Sequence, residues 1–475
     1  VLALTYVWNI RKKSNIALLP AEQLPKVTVQ LPLYNERYVA RRLIDAVAQL
    51  DYPRERLHIQ VLDDSTDDTA ELIQGRIAAL RADGLNIELI HRPNRDGYKA
   101  GALQNGMGLT DSEFFAIFDA DFVPPRDFLQ RTVPYFQDPK IGMVQTRWDH
   151  LNADENLLTR GQSLGIDGHF MVEQFARYHG GLPFIFNGSG GVWRRSAIED
   201  AGGWHGDTLC EDFDLSYRAI FKGWQFAYTR DIPVPGEIPS QMASYKQQQA
   251  RWAKGSTQVM MKHFGNLWRS DLSLTRKLMG MMLMVQYVIQ LFLLLMLIMT
   301  PLMIVTNAYQ GMVVLPYSLL ALSAPLIYGL SQIALYGKNW WRRTVYFIPL
   351  LVFCSGLSYN NGRAVMSALF KRQTEFKRTP KFQSGAEQSD QWAGLRYTSL
   401  FTVPDVGGEW FMALYTLVGL ILALWFNSAM APYMFFYTLA YNAVVVWSLW
   451  DRRQVLRLQH TAPALNSEPI HTPGR

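Results

Sequence analysis

Phe114-Phe115-Ala116-Ile117-Phe118-Asp119-Ala120-Asp121 decides the fold of this chain. Phe114–Phe118 reads as an all-apolar strand, and it stops at two carboxylates one residue apart. Upstream, Lys26–Leu33 has a strand pattern ending in Pro32-Leu33-Tyr34-Asn35-Glu36, and Val39–Leu50 has helical periodicity. His58–Leu62 is a further strand that runs into Asp63-Asp64. Ser65 or Thr66 is placed to cap the next helix, with Asp67 and Asp68 in its first turn and Gly84 past its end. Asn86–Ile90 is another strand, and Gly97-Tyr98-Lys99-Ala100-Gly101 opens another helix. Strands alternating with helices predict an α/β domain, a mostly parallel sheet flanked by helices. Ligands of such sheets bind beyond the carboxyl ends of the strands, where Tyr34/Glu36, Asp63/Asp64 and Asp119/Asp121 all fall.

The residue types carry a consistent chemistry. Asp119 and Asp121 are hard oxygen ligands of the kind that hold Mg²⁺ or Mn²⁺ together with substrate phosphates. Lys99, near a helix N-terminus, adds a cation for the same phosphates. A carboxylate at the end of the first or second strand can accept from a base N–H or a ribose hydroxyl. These roles describe a nucleotide-diphosphate sugar, although each residue alone is an ordinary turn or cap. Further on, Asn187-Gly188-Ser189-Gly190-Gly191-Val192-Trp193 allows close backbone approach, with Trp193 as a candidate sugar platform. Leu209-Cys210-Glu211-Asp212 precedes a helix over Phe213–Phe221; Asp212 is the candidate general base, beside Glu211. In Gln248-Gln249-Ala250-Arg251-Trp252, a helix places Gln248, Arg251 and Trp252 on one face. The guanidinium suits a diphosphate and the indole suits the apolar face of a sugar.

The 475 residues suffice for a catalytic domain plus a membrane domain. A mean hydropathy of −0.03 averages two unlike regions, mixed before about residue 265 and strongly apolar after it. Leu278–Val305 and Val313–Tyr336 are each long enough for the ~20 residues a bilayer core needs. Trp410–Phe426 and Ala429–Trp450 are two shorter candidates. Val1–Trp8 reads as the end of a spanning helix whose start lies before this sequence. A net charge of +6 could suggest nucleic acid, but the basic residues gather at the ends of apolar runs, in the positive-inside pattern. That distribution argues for a lipid bilayer rather than nucleic acid, with the residues before Leu278 cytoplasmic. Two cysteines exclude a disulfide framework, and nine histidines show no metal-ligand spacing.

Assembled, these residues resemble the processive family 2 glycosyltransferases of the cellulose synthase superfamily. The likeness is to the cellulose synthase-like A and C branch, which makes mannan, glucomannan or glucan backbones. Gln30–Glu36, Gln60–Thr69, Asn94–Leu103, Ala116–Phe122, Asn187–Arg194, Cys210–Asp214 and Gln248–Trp252 carry it, in the family's order. The resemblance implies a GT-A fold and a single inverting displacement from GDP-mannose or UDP-glucose to a growing β-linked polysaccharide. It implies that Tyr34, Glu36, Asp63 and Asp64 hold the nucleotide, with Lys99 and Arg251 near the diphosphate. Asp119 and Asp121 take nucleotide and metal, Glu211 and Asp212 are catalytic, and Gln248, Trp252 and Trp193 meet the acceptor. Cys210 departs from the family's Thr. Phe376, Thr379 and Lys381 match a Phe-x-x-Thr-x-Lys gating loop. The residues alone leave two other readings open: a transferase adding one sugar to a membrane lipid, and an inactive polytopic transporter or receptor.

Topology gives a separate argument. If Thr344–Phe370 spanned, Lys371–Lys381 with its five basic residues would lie outside. Burying Arg363 at mid-bilayer would cost ~2.5–3.5 kcal/mol. The expected organisation is therefore residues 1–13 as a helix end, 14–265 as a cytoplasmic catalytic domain, and 266–460 as a channel domain. That domain has an interfacial segment at 344–370 and a gating-like loop at 371–400; residues 461–475 form a cytoplasmic tail. The membrane implied is the bacterial inner membrane, or the Golgi in a eukaryote. Oligomeric state is not legible.

Overall fold

The computed structural model describes residues 1–12, 16–308, 323–372, 406–426 and 428–461. Val27–Leu33 (β1), Leu57–Asp63 (β2), Ile87–His91 (β3), Phe114–Ile117 (β4), Ile141–His150 (β5), Gly191–Arg194 (β6) and Gln225–Gly236 (β7) form one sheet. Its order is β3-β2-β1-β4-β6-β5-β7. Every pairing is parallel except those of β6, which runs antiparallel to β4 and β5. The sheet expected from the sequence is thus present, with β6 as its one reversed strand among the described residues.

Among the described residues, ten α-helices precede residue 270: Leu2–Asn9 (α1), Ala40–Val47 (α2), Thr69–Ala82 (α3), Tyr98–Met107 (α4), Phe128–Thr132 (α5), Leu157–Asp167 (α6), Phe175–His179 (α7), Arg195–Asp200 (α8), Glu211–Phe221 (α9) and Met242–Arg269 (α10). Between α6 and α7 the chain makes a π-helical stretch over Gly168–Gln174. The all-apolar run of β4 follows from burial on both faces. Phe114 and Ala116 pack with Leu31, Ile44 and Ile59 on one side. Phe115 and Ile117 pack with Leu103, Phe186 and Trp193 on the other. Each such side chain contributes ~1.5–3 kcal/mol by leaving water.

Two local expectations change. The helix after β2 begins at Thr69, and neither Ser65 nor Thr66 caps it. Because β1 and β2 are parallel neighbours, their ends lie side by side and these residues clasp the first turn instead. The Asn35 amide donates to Ser65 Oγ at 2.8 Å, and Asn35 Oδ1 accepts from the Thr66 and Asp67 amides at 2.8 and 3.2 Å. Trp193 does not face a ligand. It is fully buried on β6, edge-on to Phe186, Trp204 and Phe226, because its register opposite Phe115 turns the indole into the core.

The remaining helices are Leu274–Val285 (α11), Val288–Thr306 (α12), Ser323–Tyr336 (α13), Trp340–Thr344 (α14), Phe347–Gly356 (α15), Ser358–Leu369 (α16), Gly407–Trp425 (α17) and Ala431–Thr461 (α18). The expected span Leu278–Val305 is broken at Gln286–Tyr287. Its first part, α11, is fastened to the sheet domain: Tyr217 Oη donates to the Gly280 carbonyl at 2.6 Å, and Arg177 to that of Met279 at 3.2 Å. Only α12 and α17, 19 residues each, are long and apolar enough to cross a membrane among the described residues. They leave Phe292, Leu302, Leu414 and Ile421 exposed. Thr344–Phe370 forms two helices meeting at Leu357. Of the expected span Val313–Tyr336, residues 313–322 lie outside the described residues, as do Phe376, Thr379, Lys381 and the tail beyond Thr461.

Helix α10 joins the two parts. Its back face is held by the later helices: Lys246 Nζ pairs with Glu409 at 2.6 Å, and its first amide, Met242 N, donates to Asp451 Oδ2 at 2.7 Å. Asn360 donates to the Lys246 carbonyl at 3.0 Å.

Candidate active site

A cleft opens over the carboxyl ends of β1, β2 and β4. Tyr34, Glu36, Asp64, Lys99, Asp119, Asp121, Glu211, Asp212, Gln248, Arg251 and Trp252 all line it. Residues from the ends of three strands and from three helices, up to 218 positions apart between Tyr34 and Trp252, therefore converge on one space.

Its centre is a charge cluster. Lys99, in the first turn of α4, places Nζ 2.6 Å from Asp119 Oδ1, 2.8 Å from the Gly188 carbonyl and 3.7 Å from Glu211 Oε1. Burial works against this cation, yet Asp119, Glu211 and Asp212 hold its pKa above the ordinary lysine value. Asp212, in the first turn of α9, is pushed up to about 7, chiefly by burial and next by the neighbouring Glu211 charge. Lys99 and Arg251 act on it in the opposite sense. A carboxylate with that pKa can take and release a proton near neutrality.

The glycine-rich loop before β6 forms one wall. Ser189 Oγ accepts from the Asp119 amide at 3.0 Å, and the Ser189 carbonyl accepts from the indole of Trp148 at 2.9 Å. Gly188 has φ +84°, and a Cβ there would stand 2.9 Å from Asp212 Oδ2 and 3.5 Å from Lys99 Nζ. Gly188→Ala is accordingly expected to cost about 1–2 kcal/mol of stability for the left-handed backbone and to displace Asp212. Thermal melting reads the first effect; a wild-type melting curve would contradict it.

Helix α10 closes the other side. A Cβ on Gly255 would run into the Cys210 sulfur, so α10 lies directly against the start of α9. One turn earlier, Arg251 faces the same cleft as Asp212. Gln258 Oε1 accepts from the Leu209 amide at 2.9 Å and fixes this contact. Burial raises the Cys210 thiol well above its ordinary pKa, so Cys210 is a packed neutral thiol.

Asp63 is not part of the cleft lining. It is fully buried, with Oδ1 accepting from the Ser65 amide at 3.3 Å and Oδ2 2.9 Å from His91 Nδ1. Its neighbour Asp64 does reach the cleft, where Arg92 forks onto both carboxylate oxygens at 2.8 and 2.5 Å. Among the lining residues that sequence reasoning missed are Arg95, Trp148, His150 and Glu237. Arg95 lies over the Tyr34 ring, 3.3 Å from its centroid. Glu237 pairs with Arg42 at 2.5 Å, and its amide donates to the Asp121 carbonyl at 3.2 Å. Trp148 and His150 sit at the end of β5, a strand whose place in the sheet depends on pairings far away in sequence. No local pattern marks them.

Asp119 and Asp121 offer the hard-oxygen donors a divalent cation takes. A different group, His205, Asp207 and Asp214, also brings ligand atoms together. There, however, Lys262 bonds both acids at 2.8 Å and Arg218 bonds Asp214 at 2.8 Å, so that cluster is an ion-pair network tying α9 to α10.

The cleft thus brings together a carboxylate pair at a strand end, a buried acid that titrates near neutrality and a facing guanidinium. Residues 25–255 match the family described as "Glycosyltransferase like family 2". Among curated relatives, the chain is 45% identical over 243 residues to glucomannan 4-beta-mannosyltransferase 9 of Arabidopsis thaliana, covering 50% of this chain and 46% of that protein. It is 44% identical over 247 residues to glucomannan 4-beta-mannosyltransferase 1 of Cyamopsis tetragonoloba, covering 51% and 47%. The match thus spans about half the length of these relatives. A solved mannosyltransferase from Pyrobaculum calidifontis, in complex with GDP-Man and Mn²⁺, shares the fold with a TM-score of 0.52 at 22% identity, over 78% of this chain and 96% of that one. The sheet domain is a GT-A glycosyltransferase fold.

Proposed function

We propose that this protein is a membrane-embedded inverting hexosyltransferase that extends a β-linked mannan, glucomannan or glucan from GDP-mannose or UDP-glucose. The observation that carries the reading is the convergence of Lys99–Asp119, Asp212 and the Gln248/Arg251/Trp252 face of α10 on one cleft. The names of the relatives and of the Pyrobaculum calidifontis neighbour support the sugar and the guanosine donor.

In this reading an acceptor hydroxyl oxygen attacks the anomeric carbon as the bond to the diphosphate breaks. Asp212 takes the hydroxyl proton, and one displacement inverts the centre. Arg251 and Lys99 hold diphosphate oxygens, charge-assisted contacts that strengthen as the leaving group gains charge. Asp119 and Asp121 would hold Mg²⁺ or Mn²⁺, which when bound neutralises part of that charge. Lys99 then exchanges its contact with Asp119 for the phosphates. Trp252 offers a flat face to the terminal sugar of the acceptor.

Helices α12 and α17, with α15, α16 and α18 beside them, form the membrane part, and residues 14–265 face the cytoplasm. The placement of α10 between cleft and membrane helices supports extension of a polymer over transfer of one sugar to a lipid. Membranes incubated with labelled GDP- or UDP-sugars and Mg²⁺ or Mn²⁺ test this when the product is sized and digested. A long β-linked polymer is expected; a single-sugar lipid would replace the reading. Trp252→Ala should reduce elongation more than donor hydrolysis. Equal losses in both would remove Trp252 from the acceptor site.

A further inference from the structure

We infer that His150, oriented by Asp167, binds a hydroxyl of the acceptor strand. The inference rests on the polymer-extending reading above and adds a specificity contact to it.

The end of β5 reaches the cleft close to the reacting groups. Trp148 bonds the Ser189 carbonyl, and the adjoining Gly188 borders Asp212. His150 follows two residues later on the same face of β5, ~7 Å along the strand. It therefore lines the cleft beside the reacting end of an acceptor rather than at it.

The polar side chains around it are already paired. Trp148 donates its indole N–H to Ser189 at 2.9 Å and has Phe122 and Phe170 against its ring, at centroid distances of 5.0 and 5.1 Å. Asn187 Nδ2 donates to the Ile185 carbonyl at 3.2 Å, and its Oδ1 lies 3.2 Å from His169 Nε2. His150 differs. Its side chain is 3% exposed and its Nε2 lies 3.0 Å from Asp167 Oδ1, while Nδ1 has no hydrogen-bond partner among the described residues.

The pair sets the chemistry of that nitrogen. Asp167 is buried, and its second oxygen accepts from Gln332 Nε2 on α13 at 3.0 Å. A carboxylate only accepts, so the proton of the neutral ring sits on Nε2 and Nδ1 offers a lone pair. An acceptor so enclosed is unfavourable until a donor reaches it. A hydroxyl suits it in either state of the ring: it donates to the neutral imidazole and accepts from the N–H of the charged one. Phosphate oxygens would repel the lone pair, and Lys99 and Arg251 already serve them. One such neutral hydrogen bond is worth about two- to tenfold in affinity.

The full chain in detergent tests this when it extends mannotetraose, and each monodeoxy form of it, from labelled GDP-mannose with Mn²⁺. In wild type, one missing hydroxyl should lower kcat/KM about three- to tenfold. In His150→Phe the parent and that deoxy acceptor should react alike, while the ratios for the other deoxy forms stay as in wild type. His150→Gln, which keeps a polar end, should retain part of the difference, and Asp167→Asn should shrink it. A merely structural His150 would slow every acceptor by the same factor, and that result overturns the contact. So does a wild type that treats every deoxy form as it treats the parent, a comparison that involves no variant. Labelled sugar appearing only on lipid, with no oligosaccharide extended, would instead overturn the polymer-extending reading on which the contact rests.

Discussion

Asp212→Asn should lower glycosyl transfer by ~10²–10⁴-fold, the usual contribution of a positioned general base, while donor binding stays close to wild type. The amide keeps the shape of the side chain and loses only its capacity to take a proton. The pH profile gives a second test. Burial pushes Asp212 up to about 7, so it is protonated and inactive as a base below that pH. Transfer by wild type should rise as pH passes upward through about 7, and the variant's residual rate should lose that limb. Stability should move the other way. A buried acid with a raised pKa favours its protonated form, a contribution fully present below its unfolded pKa and lost as pH rises through 7. At pH 8 Asp212→Asn should therefore melt no lower than wild type. Retained turnover at normal folding would remove Asp212 from the mechanism; a collapsed melting curve would make the loss a folding effect.

Asp119→Asn is expected to have the next largest effect, about 10²–10³-fold on transfer, comparable to losing one preorganised electrostatic contact to a developing charge. Two consequences separate it from the base variant. Mn²⁺ affinity in the presence of nucleoside diphosphate should fall, because a carboxylate oxygen is replaced by a weaker amide ligand. Lys99 also loses its 2.6 Å partner, leaving Glu211 and Asp212 as its facing acids. Donor affinity should thus suffer in Asp119→Asn and survive in Asp212→Asn. Unchanged Mn²⁺ binding, followed by the electron spin resonance of the ion, would contradict a metal role for Asp119.

The sheet domain was legible because its signals are local. Alternating strands and helices, with Asp64 and Asp119 at strand ends, need only a few neighbouring residues to declare themselves. What failed depended on register or distant packing. Trp193 sits in a loop-to-strand motif whose composition suits sugar binding, but the antiparallel pairing of β6 with β4 turns it inward. Asp63 and Asp64 are adjacent in sequence, and strand alternation sends one to His91 and the other to the cleft. Leu278–Val305 carries no charged residue, and hydropathy gives no sign that Tyr217 and Arg177 would claim its first turns. Arg95 and Trp148 became visible only when the cleft had walls.

One helix has an implication for engineering. The two faces of α10 answer to different partners: Gln248, Arg251 and Trp252 to the cleft, Lys246 and the amide of Met242 to Glu409 and Asp451. A chimera that imports residues 407–461 from a relative would inherit new neighbours for Lys246 and tilt the catalytic face with them. Grafts of the later helices must carry the back face of α10 along, so the natural crossover point lies before Met242 rather than at the end of the sheet domain.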